Sequence, residues 1–332
     1  MKTLISLLLL SISVVSYGQK SWIRVNQIGY LEDDIKVAVW ISKENKSITR
    51  FELIDSDAEK IIYTGKANNT GQNGAFASTC RLDFSEVTKP GSYYVLVNDI
   101  KSPVFKIGND VYADATDIPL KYMRQQRCGY NPFLKDSCHV HDAISVGDPE
   151  DKRNGKYFNT TGGWHDASDY LQYVATSANA VYQMLFAYSQ YPNSFGDKYM
   201  ANGDEGANGI PDILDEAKWG LDWLVKMNPD NDTYFNQLAD DRDHMGFILP
   251  HEQKVDYGWG PGKERPVYFC SPKPQGLFKY KNRSTGLAST MGKYASTFTL
   301  GSQILKNFYP EFSELLLNKA EDAYQNGVKN PG

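Results

Sequence analysis

The period of the hydrophobic pattern changes once along this chain, near residue 110, and that change limits the folds open to it. Residues 21 to about 108 carry short alternating runs at 22–27, 36–41, 51–55, 60–63, 92–97 and 103–107, with Gly, Asn and Asp between them. Short strands at that spacing predict a β-sandwich. From about Val111 the apolar residues recur at helical spacing. Helices are predicted over residues 113–126, 176–191, 211–227, 286–305 and 311–328. In the third, Pro211 suits a first turn, and Ile213, Ala217, Leu221 and Leu224 form one stripe. Strands and helices do not alternate, so a parallel α/β sheet is not expected. Long polar loops are predicted over 129–161 and 228–282, and loops of that length inside a domain usually carry function.

A chain of 332 residues is long enough for roughly two domains. With 41% hydrophobic and 23% charged residues, each can bury an ordinary core. The net charge of −5 argues against a nucleic-acid partner or an anionic membrane surface. Residues 1–18 read as a secretory signal, with Lys2, an apolar run over 4–10, and small Ser16 and Gly18 before a cut at Gln19. That run is short for a bilayer span, and no later segment is apolar enough to cross one. A secreted or periplasmic monomer is expected.

The densest chemistry lies in Gly162-Gly163-Trp164-His165-Asp166-Ala167-Ser168-Asp169-Tyr170. Asp166 and Asp169 are three apart, so a turn or helix start here would aim both carboxylates to one side. Such a pair can hold and deprotonate a water. The competing reading is a plain helix N-terminus, where acids satisfy free amides and the dipole. The segment resembles the Gly-Gly-Trp-(Tyr/His)-Asp-Ala-Gly-Asp-Tyr signature of glycoside hydrolase family 9, the inverting cellulases, with Ser168 where Gly is usual. Val25-Asn26-Gln27-Ile28-Gly29-Tyr30 resembles the immunoglobulin-like module that precedes the catalytic domain in one branch, and Asn208 to Glu216 resembles another family block.

The resemblance implies an Ig-like β-sandwich over 19–108, then the N-terminal half of an (α/α)6 barrel over 109–332. The fold class is thus β plus α, with an incomplete all-α barrel. It also implies an inverting hydrolase of β-1,4-glucan, with Asp169 as base and Asp166 helping to hold the water. Inverting enzymes place base and acid about 6.5–9.5 Å apart. The family's general acid, a Glu, matches no position here, so the chain is expected to hold the base side only and to be inactive or nearly so alone. The front half leaves the exact glycan open, including chito-oligosaccharides. The alternative is a non-catalytic carbohydrate-binding protein.

Cys128, Cys138, His139 and His165 supply two thiolates and two imidazoles, the ligand set of a closed tetrahedral zinc site. Their spacing also leaves open a Cys128–Cys138 disulfide with two unrelated histidines, since export favours disulfides. Family members with His before the first Asp match all four positions and hold a structural zinc, so the resemblance implies zinc. The carboxylates and amides from Asn202 to Glu216 could ligate calcium, or could simply favour a helix start. Trp164, Tyr170, Tyr257 and Trp259 are candidate stacking faces for sugar rings, with core packing as the alternative. His244 and His251 read as structural or cleft-lining, His141 as a surface residue, and Cys80 and Cys270 as free buried thiols.

Overall fold

The computed structural model describes residues 19–148, 150–167, 169–244, 246–253, 255–258, 263–271 and 286–331. They divide into two compact units, one up to Ala115 and one from Thr116.

The first unit is antiparallel β throughout its ladders. It contains β1 (Ser21–Arg24), β2 (Val37–Ser42), β3 (Arg50–Asp55), β4 (Lys60–Asn73), β5 (Phe76–Asp83), β6 (Gly91–Val97), β7 (Ile100–Lys101) and β8 (Phe105–Ile107). The strand order is β1-β2-β5-β4-β3-β6-β7, with β8 also on β6. Strand β4 is the joint: residues 60–66 pair with β3 and residues 67–73 with β5. The two-residue side-chain period sends alternate residues of both ladders into one core. Ala38 and Trp40 of β2, Phe51 and Leu53 of β3, Leu82 of β5, and Tyr93 and Val95 of β6 meet there. The sequence marks only residues 60–63 of the β4–β5 hairpin. Most of β4 is exposed and polar, so no hydrophobic alternation betrays it.

The second unit carries α1 (Asp117–Gln125), α2 (Val174–Gln190), α3 (Asp212–Lys226), α4 (Leu287–Leu305) and α5 (Pro310–Lys329). All five predicted helices are present, and four start within two residues of the expected position. Helix α1 starts four residues late, two residues before Pro119, which occupies its first turn. Helix α3 is central, burying Ile213, Leu214, Ala217, Leu221, Trp223 and Leu224. They share one core with Val181 and Leu185 of α2, Tyr294 and Phe298 of α4, and Leu316 and Ala320 of α5. Among the described residues no helix is long and apolar enough to cross a membrane.

The predicted long loops are partly ordered into β-structure. Strands β9 (Gly129–Asn131) and β10 (Asp136–Cys138) pair antiparallel. Strands β11 (Ile144–Val146), β12 (Gln172–Tyr173), β13 (Phe235–Leu238) and β14 (Pro266–Phe269) form a sheet in the order β11-β14-β13-β12. Runs of two to four residues are too short to register as a hydrophobic period.

The turn after β11 closes on a buried carboxylate. Asp148 accepts hydrogen bonds from Arg153 Nε (3.1 Å) and Nη2 (3.1 Å) and from the backbone N–H of Lys152 (3.1 Å) and Arg153 (2.8 Å). The Arg153 side chain, above all, holds its carboxyl down to about 2. The folded value lies below the ordinary ~3.9 of a free Asp. The stabilisation is therefore present above about pH 4 and lost as pH falls toward 2. Asp148→Asn is expected to lower unfolding free energy by about 1–2 kcal/mol at pH 7, and by clearly less at pH 3. Urea melts at the two pH values check this; equal losses would contradict it.

Candidate active site and metal centre

One short bridge organises the site. The Cys128 N–H donates to Gly163 O (2.9 Å) and the His165 N–H to Gln126 O (2.9 Å), pairing Arg127 with Trp164 antiparallel. Side chains alternate across such a pair. Arg127 and Trp164 reach Glu216 of α3: Arg127 Nη2 donates to Glu216 Oε2 (2.7 Å) and Trp164 Nε1 to Glu216 Oε1 (2.8 Å). Cys128 and His165, the flanking residues, instead enter the cysteine–histidine cluster. Two glycines let the bridge lie this close to α3. A Cβ on Gly220 would sit 2.2 Å from the Trp164 ring. One on Gly163, which has φ +71°, would sit 2.7 Å from Trp223.

Cys138 ends β10 opposite Gly129 of β9, which places it beside Cys128. The ligand atoms of Cys128, Cys138, His139 and His165 all lie within 4.8 Å of one another. Cys128 Sγ is 3.8 Å from His139 Nδ1, and Cys138 Sγ is 3.7 Å from His165 Nε2. Both cysteines are free thiols, so the disulfide alternative is not what this structure holds. Zinc bond lengths to S and N in a tetrahedron give S···N edges of roughly 3.5 Å, close to those observed. His139 Nε2 faces Gln253 Oε1; a proton on Nε2 donated to that oxygen leaves the Nδ1 lone pair toward the cluster. Burial pushes the Cys128 thiol up and the His165 imidazole down. The hydrogen bond with Cys128, helped by the Arg265 charge, lowers the Cys138 thiol.

Behind the cluster lies a buried arginine that the sequence does not advertise. Arg265 Nη2 donates to Asp142 Oδ2 (2.7 Å) and to Gln172 Oε1 (2.7 Å), and Nη1 to the Tyr170 carbonyl (2.6 Å). Its Nη2 is also 3.6 Å from Cys128 Sγ. One guanidinium thus ties β12, the residue before β14 and the Gly-Gly-Trp segment together. The available signal was a charge placed directly before the apolar run Pro266-Val267-Tyr268-Phe269, inside a stretch read as loop.

The acidic pair is not a helix start. Helix α2 begins at Val174, and its cap position, Tyr173, makes no side-chain cap. Asp166 Oδ1 accepts from Thr176 Oγ1 (3.0 Å). Asp169 Oδ2 lies 2.8 Å from His244 Nε2, and His244 Nδ1 is 3.6 Å from Asp241 Oδ1. Asp169 Oδ1 is buried and has no hydrogen-bond partner among the described residues. The sequence expects both carboxylates on one side; in the structure each has its own partner, Thr176 for one and His244 for the other. His244 lies 75 positions from Asp169, a link that no local motif shows.

Three of the four expected stacking aromatics are closed off. Trp164, Tyr170 and Tyr257 are 3%, 6% and 5% exposed. Trp164 is sealed against Gly220. The Tyr170 ring packs on His165 (4.8 Å between centroids) and His139 (5.8 Å). The Arg242 guanidinium covers Tyr257 at 4.4 Å. Their work here is packing. Trp259 lies outside the described residues.

The acids considered for calcium spend their oxygens on protein donors. Asp212 accepts from Tyr199 N (2.9 Å), Asp215 from Asn208 Nδ2 (2.8 Å) and Tyr309 OH (3.0 Å), and Asp204 from Tyr130 OH and Lys135 Nζ. Burial raises the Asp212 and Asp215 carboxyls. As expected, Cys80 and Cys270 are buried free thiols and His141 is exposed.

Comparison with known proteins follows the same division of the chain. The profile of the cellulase N-terminal Ig-like domain matches residues 18–102, and that of glycosyl hydrolase family 9 matches residues 112–332. Endoglucanase D of Acetivibrio thermocellus is 27% identical over 95% of this chain and 47% of the relative. A cellodextrinase of Butyrivibrio fibrisolvens is 26% identical over 92% and 51%. Among solved structures, a metagenome-derived family 9 endoglucanase superposes with a TM-score of 0.76 at 29% identity, over 93% of this chain and 55% of that one. A zinc-binding triple mutant of the family 9 endoglucanase J30 gives 0.71 at 26%, over 90% and 53%. The chain spans about half the length of the curated relatives it matches. With the family profile matched over residues 112–332, where the described residues form five helices, and the Ig-like profile matched over the β-rich residues 18–102 that precede them in sequence, this chain belongs to glycosyl hydrolase family 9.

Proposed function

We propose that this chain carries the base side of an exported, inverting β-1,4-glucan hydrolase, built on part of an (α/α)6 barrel. The observation that carries the reading is the Asp169 carboxylate. One oxygen is fixed by His244 at 2.8 Å, and the other, which is buried, has no hydrogen-bond partner among the described residues. A carboxylate held at one end presents its free lone pair in a defined direction, which a general base requires. Asp169 takes the proton of a water as that water attacks the anomeric carbon from the face opposite the leaving group. Asp166 steadies the water. The general acid, which an inverting site places about 6.5–9.5 Å away across the bond, is assigned to no residue of this chain.

The names of the relatives support a β-glucan substrate and leave the length preference open. The donor set of Cys128, Cys138, His139 and His165 supports a structural zinc. Bound there, the metal would supply a fixed crosslink between the β9–β10 pair and the segment bearing Asp166 and Asp169. About one zinc per chain is expected by plasma mass spectrometry, and well under half in Cys138→Ser. A metal-free protein two hydrogens lighter than its free-thiol mass would contradict this and restore the disulfide.

The functional test is release of reducing ends from carboxymethylcellulose by the protein expressed from its complete reading frame. Release supports the reading. Binding without release favours the alternative, a carbohydrate-binding protein, which the unassigned acid would then explain.

A further inference from the structure

The cysteine–histidine cluster is closed on nearly every side. Cys128, Cys138 and His165 are buried, and His139 alone of the four is half-exposed. A cavity of about 230 Å³ leads to that ligand. Its wall includes Cys138 and His139, and also His141, His251, Gln253 and Lys263. His141 and His251 are exposed and come from separate segments, one just after β10 and the other in a 3-10 turn at Pro250–Glu252. Neither has a part in the proposed hydrolysis, and neither belongs to the four-ligand cluster. Yet two imidazoles sit in the same cavity as two ligands of a metal-binding set.

We propose that this cavity is the route by which zinc enters and leaves the Cys128–Cys138–His139–His165 cluster, with His141 and His251 as transient ligands along it. The proposal rests on the zinc reading above. Imidazole is a strong ligand for zinc and binds it without a change of charge. The wall also carries the cationic Lys263 and Arg265 and, among the described residues, no carboxylate, so neutral imidazoles are the ligands it offers a passing ion. His141 and His251 replace waters of the hydrated ion and hand it inward to His139 and Cys138. Filling the cluster gives up two protons to solvent, one from each cysteine thiol, and forms two Zn–S and two Zn–N bonds. Gln253 stands at the inner end, where its Oε1 faces His139 Nε2 and holds that ring toward the cluster.

The test is the rate of zinc release from the protein as isolated, read by the absorbance of excess 4-(2-pyridylazo)resorcinol. The double variant His141→Ala/His251→Ala is expected to contain the same zinc per chain as the parent. Its release should be clearly slower. Each single variant should fall between, and added imidazole should restore the rate. Equal or faster release from the double variant overturns the route. So does slowing that imidazole leaves unchanged, since that marks a structural effect. A parent protein without zinc overturns the zinc reading itself, and the route with it.

Discussion

Asp169→Asn, made in the protein expressed from its complete reading frame, is expected to lower kcat by about 10²–10⁴, the range for losing a general base. That loss corresponds to roughly 3–5 kcal/mol of transition-state stabilisation. Binding of cello-oligosaccharides should stay within a few-fold, since the substitution removes a proton acceptor and leaves the shape of the site unchanged. The fold should hold as well. Asn matches Asp in shape, and its carbonyl oxygen can accept from His244 Nε2 as Asp169 Oδ2 does at 2.8 Å. A loss confined to kcat marks an interaction made in the transition state. Turnover within tenfold of the parent would remove Asp169 from the base role.

Arg265→Met is expected to cost about 3–5 kcal/mol in unfolding free energy, because it leaves the Asp142 carboxylate buried without its partner. Both side chains are about 1% exposed. Gln172 and the Tyr170 carbonyl also lose a donor. The damage should spread to the metal centre, since the same guanidinium lies against Cys128 and lowers the Cys138 thiol. Adding Asp142→Leu to Arg265→Met should recover only part of the loss, because it removes one stranded carboxylate while Asp243, 3.4 Å from Arg265 Nη1, stays buried without its cation. Urea denaturation of the single and double variants measures this. A single-variant cost below about 1 kcal/mol would show that the ion pair is not what holds β12 and β14 to the Asp-bearing segment.

What the sequence revealed depended on how a signal is carried. Helices α2 to α5 were legible because in each the apolar residues, Val181, Leu221, Phe298 and Leu316 among them, recur at a period set by burial on one face. Most of strand β4 was not, because nearly all its side chains face solvent and only its ladder with β5 defines it. The cysteine–histidine cluster was legible only in part: two thiols and two imidazoles form a zinc ligand set, but their spacing also allowed a disulfide, and the family resemblance is what favoured the metal. The direct partner of Asp169 was not, because His244 reaches it through the fold. The aromatics misled for a related reason. An indole can serve a sugar or a core, and the choice for Trp164 was made by Gly220, a residue 56 positions away whose missing side chain opens the slot. Arg265 was hidden because a buried guanidinium looks, in sequence, like any surface charge.

The central claim is that Asp169 activates a water for direct displacement at the anomeric carbon. The measurement that tests it most directly is ¹H NMR of the first product formed from a soluble β-1,4-gluco-oligosaccharide, read before mutarotation. The account expects the new reducing end to appear as the α-anomer, the inverted configuration. A β-anomer would mean retention through a covalent glycosyl-enzyme, and Asp169 as the water's base would be contradicted.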